Sequence, residues 1–507
     1  MNMFPTLKLR IKNLAKWESS TIKVLGLVEL MLGVALLMPA VIAMMYDEDP
    51  MIFVMPAPIL LIFGIIQYIF FKRGPTLRPA SGLMMIFLVW WIAFFVSAVP
   101  LYLYGMTVVD SLFQGISGFT ATGSSIMVGD PATSHSLVFW TAFTQWAGGL
   151  AIIVLFLYLI PMMGLGGKAF LNNELAGSET YNFSMKISGA VSNFVAIYVL
   201  LSAVEVILLA INGVSVFNSV TMMFSTISTG GFMAGGSMAD YSFAVQLVVL
   251  AFMFLGGTNF YLHYRAINKG ELSAYRTSQE FIWAVIWVIA ATVIIAASIF
   301  ATGNGQALDI GGTLWDTFFS VISFGTTTGY TVVDQPFWPF ATYIVFWVVM
   351  LVGFMSGSTS GGIKIYRFLI IKSYITNGVY KMFHPLAVKD VKMNNQSVNN
   401  DAVVSAVLVI SMFVGAVVVS VFIVMLLEPS LSISESASMA IGAISNSGVN
   451  MGPVGFNDLR DATKIFLAVM MWVGRLEVII ALLLFTKTFW TDLITDVKGN
   501  RAKRKKV

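Results

Sequence analysis

Long apolar runs alternate with short polar connections along almost the whole chain. Ten of these runs approach the length of about 20 residues that a helix needs to cross the hydrocarbon core of a membrane. They cover residues 24–45, 51–71, 82–104, 137–160, 189–211, 243–263, 281–301, 338–354, 402–427 and 463–486. The pattern predicts an all-α polytopic membrane protein.

Four shorter apolar pieces lie between these runs, and they are too short to span a membrane. Each is followed by small hydroxyl or amide residues and a glycine: DSLFQGISGFTATG at 110–123, FNSVTMMFSTISTG at 217–230, DTFFSVISFGTTTG at 316–329 and ESASMAIGAISNSG at 435–448. An acidic residue opens three of the four segments. Surface loops are the simpler interpretation of one such piece, but four copies at a regular spacing indicate an internal repeat.

The repeat suggests four re-entrant loops. Irregular backbone at membrane depth is tolerated only where it is buried or lines a water-filled cavity. A half-length helix with an acid at its positive N-terminal end, followed by extended chain, satisfies that condition. Four such loops around one axis would form a ring of neutral oxygens that can replace the hydration shell of a cation. Glycine would let each backbone approach the ion without a Cβ.

Composition agrees with this picture and excludes several classes of protein. The chain of 507 residues is 58% hydrophobic and only 11% charged, against about 25% charged residues in soluble domains. A soluble enzyme, a disordered chain and a nucleic-acid-binding protein are therefore excluded. The chain has no cysteine, and its three histidines lie far apart, so no thiolate or histidine metal cluster is expected. With no nucleophile beside a base, we expect no enzymatic activity and no cofactor.

The few charges are sorted between the two sides of the membrane. Basic residues occupy the N-terminus, alternate loops and the tail at 501–506, whereas the opposite loops are acidic. The positive-inside rule then predicts cytoplasmic N- and C-termini, and no cleavable signal peptide is expected. The acidic outer face would concentrate cations, although insertion topology alone also accounts for it.

With these features, the chain from about residue 80 to 490 resembles the TrkH, KtrB and HKT potassium transporter superfamily. The resemblance implies four tandem span–pore-loop–span repeats around one pore, with two additional N-terminal spans of the TrkH type. The implied boundaries are 1–78 for the N-terminal pair, 79–168, 169–275, 276–398 and 399–490 for the repeats, and 491–507 for a basic cytoplasmic tail. The pore loops would cover 110–124, 217–231, 316–330 and 435–453.

The resemblance also implies which residues form a selectivity filter. These are Thr120, Ala121, Thr122, Gly123, Ile227, Ser228, Thr229, Gly230, Thr326, Thr327, Thr328, Gly329, Ser445, Asn446, Ser447 and Gly448. Potassium would bind at the last two residues of each group, Thr122, Gly123, Thr229, Gly230, Thr328, Gly329, Ser447 and Gly448. In the fourth loop Gly452 is the substitute, because Asn450–Pro453 fits an Asn-x-Gly-Pro pattern of TrkH-like proteins. By the same resemblance, glycine in all four loops favours potassium over sodium.

A polar stretch follows the run at 338–354. It comprises Gly357, Ser358, Thr359, Ser360, Gly361, Gly362 and, after one isoleucine, Lys364. So many glycines do not form a stable helix, and a cytoplasmic linker is the simplest alternative. A phosphate-binding loop is a poorer one, since the required Gly-x4-Gly-Lys-Ser/Thr spacing is absent. The resemblance implies an intramembrane gating loop beneath the filter.

Two ionisable residues, Arg475 and Glu477, lie within the last apolar run, where such residues are rare and expensive. A structural ion pair is one interpretation. Residues two apart on a helix do not face each other, however, so each is expected to have another partner. The resemblance implies that Arg475 is an electrostatic barrier in the pore and that Glu477 is structural. Glu29 and Glu205 are further acids in apolar runs, and the sequence does not define their partners.

The function that the resemblance implies is potassium uptake across the bacterial cytoplasmic, or inner, membrane. Potassium would be the substrate, and no cofactor is expected in this chain. The implied partners are a second copy in a homodimer and a cytosolic nucleotide-binding regulatory ring of the TrkA type. The basic segments at 364–392 and 498–506 could dock that ring or contact anionic lipid; no nucleic acid is expected. The alternative is a sodium- or proton-coupled secondary transporter of another cation, which predicts inverted repeats instead.

Overall fold

The computed structural model describes residues 17–71, 79–127, 134–159, 183–233, 237–302, 310–333, 338–386, 390–394 and 396–493. Most of the basic tail, from residue 494 onwards, lies outside the described residues. The described part is helical apart from one small antiparallel hairpin, in which β1 (Lys392–Met393) pairs with β2 (Gln396–Ser397). The predicted all-α membrane fold is confirmed.

The first two predicted spans form a helical pair of their own. The first consists of α1 (Trp17–Ala35) and α2 (Leu37–Met45), and the second of α3 (Met51–Val54) and α4 (Pro56–Phe70). Close backbone approach holds them together, because a Cβ added to Gly26 would lie 2.7 Å from the Cβ of Gln67. Such small residues are common at helix contacts in membranes. The amide of Gln67 also donates to both carboxylate oxygens of Glu29, at 3.0 and 2.9 Å.

The order of a long helix, a shorter helix and a third helix of 13–25 residues then occurs four times. The first set is α5 (Pro79–Tyr104), α6 (Val108–Phe119) and α7 (His135–Leu159), and the second is α8 (Phe183–Ile211), α9 (Val216–Ile227), α10 (Phe243–Gly257) and α11 (Phe260–Lys269), followed by the short α12 (Ser273–Thr277). The third set is α13 (Gln279–Thr302), α14 (Ile310–Gly325), α15 (Phe340–Val352) and α16 (Ile365–Phe383), and the fourth is α17 (Asn400–Leu427), α18 (Ile433–Ile444), α19 (Asp461–Arg475) and α20 (Val478–Leu483). All four short helices therefore lie where the sequence predicts them.

The four sets close into a ring. The helix after each short helix packs against the short helix of the next set: α7 on α9, α10 on α14, α15 on α18, and α19 back on α6. Side-chain caps fix where three of the short helices begin. The hydroxyls of Thr107, Ser215 and Ser432 accept the backbone N–H three residues later, which satisfies a helix-end donor that has no partner within the helix.

Several predicted spans are not continuous helices. Among the described residues, seven spans are long and apolar enough to cross a membrane, and an eighth is α10 with α11, which are bent by 101° at Thr258. The predicted run at 463–486 is wrong as a single helix, because α19 ends at Arg475 and Glu477 adopts a φ of +67°. The carboxylate of Glu477 is held there by Arg367 of α16 at 2.7 Å. The helix therefore breaks where Glu477 meets Arg367, a tertiary contact that the hydropathy pattern does not reveal.

Candidate functional site

The four turns after the short helices share one hydrogen-bond pattern. The first residue of each turn carries a hydroxyl that donates to the carbonyl four residues earlier, at 2.7–2.8 Å, in Thr120, Ser228, Thr326 and Ser445. The second has a φ of +49° to +60°, in Ala121, Thr229, Thr327 and Asn446. The backbone N–H of the third donates five residues back, in Thr122, Gly230, Thr328 and Ser447. The four turns are therefore structurally equivalent residue by residue.

This equivalence shifts the alignment of the second turn by one residue. The fourth position is a glycine with positive φ in every turn, and it is occupied by Gly123, Gly231, Gly329 and Gly448. Gly231, and not Gly230, thus corresponds to Gly123, while Ile227 is the last residue of α9. Counting from the start of the apolar piece misaligned this turn, because Asn218 replaces the acid at the equivalent helix position. Gly452 lies elsewhere, against the side chain of Glu435.

The backbones of the four turns contact one another in a closed cycle. A Cβ added to Gly123 would collide with the carbonyl oxygen of Gly230, and one added to Gly231 would collide with that of Thr328. In the same way, a Cβ on Gly329 would meet Ser447 and a Cβ on Gly448 would meet Thr122. Only glycine permits such approach. The turns therefore form one ring that is buried except at its four partly exposed glycines, and its residues include no charged side chain.

Two side-chain amides that are not part of the hydrogen-bond pattern shared by the turns also stabilise this ring. The side chain of Gln145 on α7 donates to the carbonyl of Gly230 at 3.0 Å and accepts the N–H of Phe232 at 3.3 Å. The side chain of Asn446 donates to the hydroxyl of Thr122 at 2.9 Å and to the carbonyl of Met471 at 2.8 Å. Sequence reasoning missed Gln145, whose one signal is an amide within an apolar run.

The polar stretch after α15 folds back against the helix-side ends of the turns. The hydroxyl of Thr359 lies 3.1 Å from the carbonyl of Ile227 and 2.9 Å from that of Gly256. The backbone N–H of Gly361 donates to the hydroxyl of Thr327 at 2.7 Å. The stretch is therefore no exposed linker: it occupies buried space beside the second and third turns. Its contact with the bend between α10 and α11, at Gly256, was not predicted.

Arg475 and Glu477 have different partners, as expected from their spacing. Arg475 is only 5% exposed, and its Nη1 donates to the carbonyl of Thr359 at 2.8 Å. Its Nε and Nη2 are buried and have no hydrogen-bond partner in the part of the chain that the structure describes. The carboxylate of Glu477 accepts two hydrogen bonds from Nη2 of Arg367, both at 2.7 Å. The arginine therefore carries an incompletely neutralised charge next to the polar stretch.

Four equivalent turns in a closed ring, surrounded by spanning helices, define a polytopic membrane protein with one central site. A family model described as "TrkH: Cation transport protein" matches residues 80–495. This chain belongs to the TrkH family of cation transport proteins, and the predicted family is confirmed.

Individual relatives match along nearly their whole length. The Trk system potassium uptake protein TrkH of Halomonas elongata is 28% identical over 484 residues, which is 92% of this chain and 98% of that protein. TrkH of Escherichia coli K12 is 27% identical over 482 residues, 93% of this chain and 99% of the relative. The crystal structure of the potassium transporter TrkH from Vibrio parahaemolyticus superposes with a TM-score of 0.82 at 26% identity, covering 93% of this chain and 99% of that one.

Proposed function

We propose that this protein takes up potassium ions through the ring formed by residues 120–123, 228–231, 326–329 and 445–448. The observation that carries the proposal is the closed cycle of backbone contacts from Gly123 through Gly231 and Gly329 to Gly448. A ring of neutral backbone carbonyls can replace the hydration shell of a potassium ion. The names of the relatives, which are potassium uptake proteins, support the choice of ion.

Residues 357–364 and Arg475 would control passage. The stretch is held beside the ring through Thr359 and Gly361, and a cation leaving the ring would have to displace it. The guanidinium of Arg475 would repel that cation, and in a buried environment the repulsion is far stronger than in water. We infer that the stretch and the arginine act together as the gate.

The remaining features of the proposal concern the membrane and its partners. The protein would lie in the bacterial cytoplasmic membrane with both termini in the cytoplasm, and the membrane potential would favour cation entry by about 2.3 kcal/mol per charge per 100 mV. The Trk system names of the relatives support association with further components. We propose a homodimer that docks a cytosolic nucleotide-binding ring of the TrkA type.

The proposal is tested by rescue of a bacterial strain that lacks potassium uptake, grown at low external potassium. The chain should restore growth, and Gly329→Ser should raise sodium permeation relative to potassium, because the new side chain collides with the Ser447 carbonyl. Gly415→Ser is the matched control, since a Cβ at Gly415 meets nothing within 4 Å. Unchanged selectivity in Gly329→Ser, with protein present in the membrane, would sink the filter assignment.

The same strain separates uptake through a gated pore from coupled symport. Potassium flux is measured at a fixed membrane potential with and without a sodium or proton gradient. A pore predicts a flux that follows the potassium gradient and the potential alone. A flux that stops when the sodium or proton gradient is removed would instead support a coupled secondary transporter.

A further inference from the structure

Glu280 is a buried acid that the proposed function does not use. It lies in the first turn of α13 and is 6% exposed. Its Oε1 accepts the backbone N–H of Ser356 at 2.8 Å and that of Tyr366 at 3.3 Å. Ser356 stands immediately before Gly357, and Tyr366 stands two residues after Lys364. One carboxylate oxygen therefore ties both ends of the gating stretch to a helix outside it.

The helix that follows the stretch needs such an acceptor. The N-cap residue of α16, Lys364, makes no side-chain capping bond, and the first backbone N–H groups of a helix have no partner within the helix. Glu280 supplies an acceptor for one of them from a neighbouring helix. The same hydrogen bonds allow Glu280 to be buried, since a buried carboxylate is stable only where hydrogen bonds satisfy it. The Lys364 ammonium also interacts with it electrostatically.

Backbone bonds also close the neck of the stretch, where residues 363–364 meet residues 351–352. Others attach the stretch to α10, since the N–H of Met355 donates to the carbonyl of Gly257 at 3.4 Å and that of Thr359 to the carbonyl of Gly256 at 3.2 Å. The N–H of Ile363 donates to the carbonyl of Leu351 and that of Lys364 to Val352, both at 2.9 Å. These bonds would persist if the whole neck moved as a unit. Glu280 bonds the neck to α13. Together with the bonds to α10, it limits how far Thr359 can move away from the ring.

We propose that Glu280 is a positioning residue that anchors the neck to α13 and keeps the gating stretch in the path of the ion. The proposal rests on the proposed function, in which residues 357–364 control passage. Loss of the acceptor leaves two buried N–H groups unpaired. The conformation in which the neck lies against α13 is then less favourable, relative to conformations in which the neck has moved away. Flux should then rise, while the ring and its selectivity stay unchanged.

The test uses the full chain in membrane vesicles and measures potassium flux and the potassium-to-sodium ratio. Glu280→Ala removes the acceptor, and Glu280→Asp keeps the charge but is one methylene too short to reach both N–H groups. Both should raise the flux about tenfold with an unchanged ion ratio. Glu280→Gln keeps a carbonyl oxygen at the same reach and should stay within about twofold of the original. Glu271→Gln is the control, because that acid is half-exposed and pairs with Arg265.

A second measurement reports the position of the stretch directly. The chain has no cysteine, so Ser360→Cys introduces a single thiol into the stretch. A water-soluble thiol reagent should modify it about tenfold faster in the Glu280→Asp background than in the Glu280→Gln background. Equal modification rates together with equal fluxes in these two variants would overturn the anchoring role.

Failure of the anchor is distinguishable from failure of the gate. Arg475→Ala is measured in the same vesicles. If it raises the flux and the Glu280 variants change neither the flux nor the labelling, the gate stands and the anchor is wrong. If neither Arg475→Ala nor any Glu280 variant alters flux or labelling, both proposals are wrong.

Discussion

The ammonium nitrogen of Lys464 lies 2.7 Å from a carboxylate oxygen of Asp110. The two residues belong to the last and the first of the four sets, so this ion pair joins the ends of the ring. Lys464 is nearly buried, with 6% of its side chain exposed, whereas 21% of the Asp110 side chain is exposed. Asp110 also accepts the hydroxyl of Thr107 at the start of α6. The pair therefore fixes the short helix α6 against α19.

We expect Lys464→Met to destabilise the protein by about 1–3 kcal/mol, because it leaves a partly buried carboxylate without its counter-charge. Thermal unfolding of the detergent-solubilised protein measures the effect. The double variant Lys464→Met with Asp110→Asn should lose less than the sum of the two single losses, since the two residues are in contact. Lys381→Met, at an exposed position, is the control. Additive losses would contradict a coupled pair.

The register of the second turn leads to a comparison of two adjacent glycines. Gly231 has a φ of +63° and its added Cβ would collide with the Thr328 carbonyl, whereas the three atoms nearest to a Cβ on Gly230 all belong to the side chain of Gln145. Gly231→Ala should therefore reduce potassium uptake by about tenfold or more, since backbone cannot yield as a side chain can. Gly230→Ala should have the smaller effect. Potassium uptake is measured at equal membrane expression of the two variants. A larger loss in Gly230→Ala than in Gly231→Ala would instead favour Gly230 as the residue equivalent to Gly123.

Arg475→Ala should increase cation flux by about tenfold, because it removes both a buried positive charge and the bond to the Thr359 carbonyl. Arg475→Lys keeps the charge and should remain closer to the original rate. Potassium flux in vesicles is the measurement, with Arg265→Ala as a control at a less buried ion pair. Loss of the protein from the membrane in Arg475→Ala, with normal expression of Arg475→Lys, would point to a structural role.

Glu48, on the connection between α2 and α3, should make the stability of the fold depend on pH. Burial tends to raise the pKa of Glu48, but hydrogen bonds from Ser134 and Ser136 and from the backbone N–H groups of His135 and Ser136 outweigh it and hold the pKa below its ordinary value. These backbone donors lie at the first turn of α7, where a negative charge is favourable.

Because the folded-state pKa is lowered, the stabilisation by Glu48 is present above the ordinary pKa of about 4.3 and is lost as the pH falls through the lower folded-state value. Glu48→Gln should therefore unfold at a lower temperature than the original at pH 7, by an amount typical of a helix cap, about 1 kcal/mol. The difference should shrink below about pH 4. A constant difference from pH 7 to pH 3.5 would contradict this account.

Much of the site was predictable from the sequence because its signals are local. Short apolar pieces that end in hydroxyl residues and glycine identify all four turns, and the glycines of the GSTSGGIK stretch exclude a continuing helix. The acid at the start of a short helix was a weaker guide, as the second turn has Asn218 in its place. The anchors Gln145 and Glu280 were not predictable, since each acts on backbone groups far away in the chain.

The sequence by itself determined that this chain lies in a membrane, that it contains four related helix–turn units and, to within one residue in the second turn, where those units lie. Hydropathy, helix period and turn composition are properties of neighbouring residues, so they can be read from the sequence without knowledge of the fold. Only the tertiary structure decided that Gly231 corresponds to Gly123, that α19 ends at Arg475, and that Arg475 bonds to Thr359. Those facts depend on contacts between residues that lie far apart in the chain and that meet only once the ring has closed.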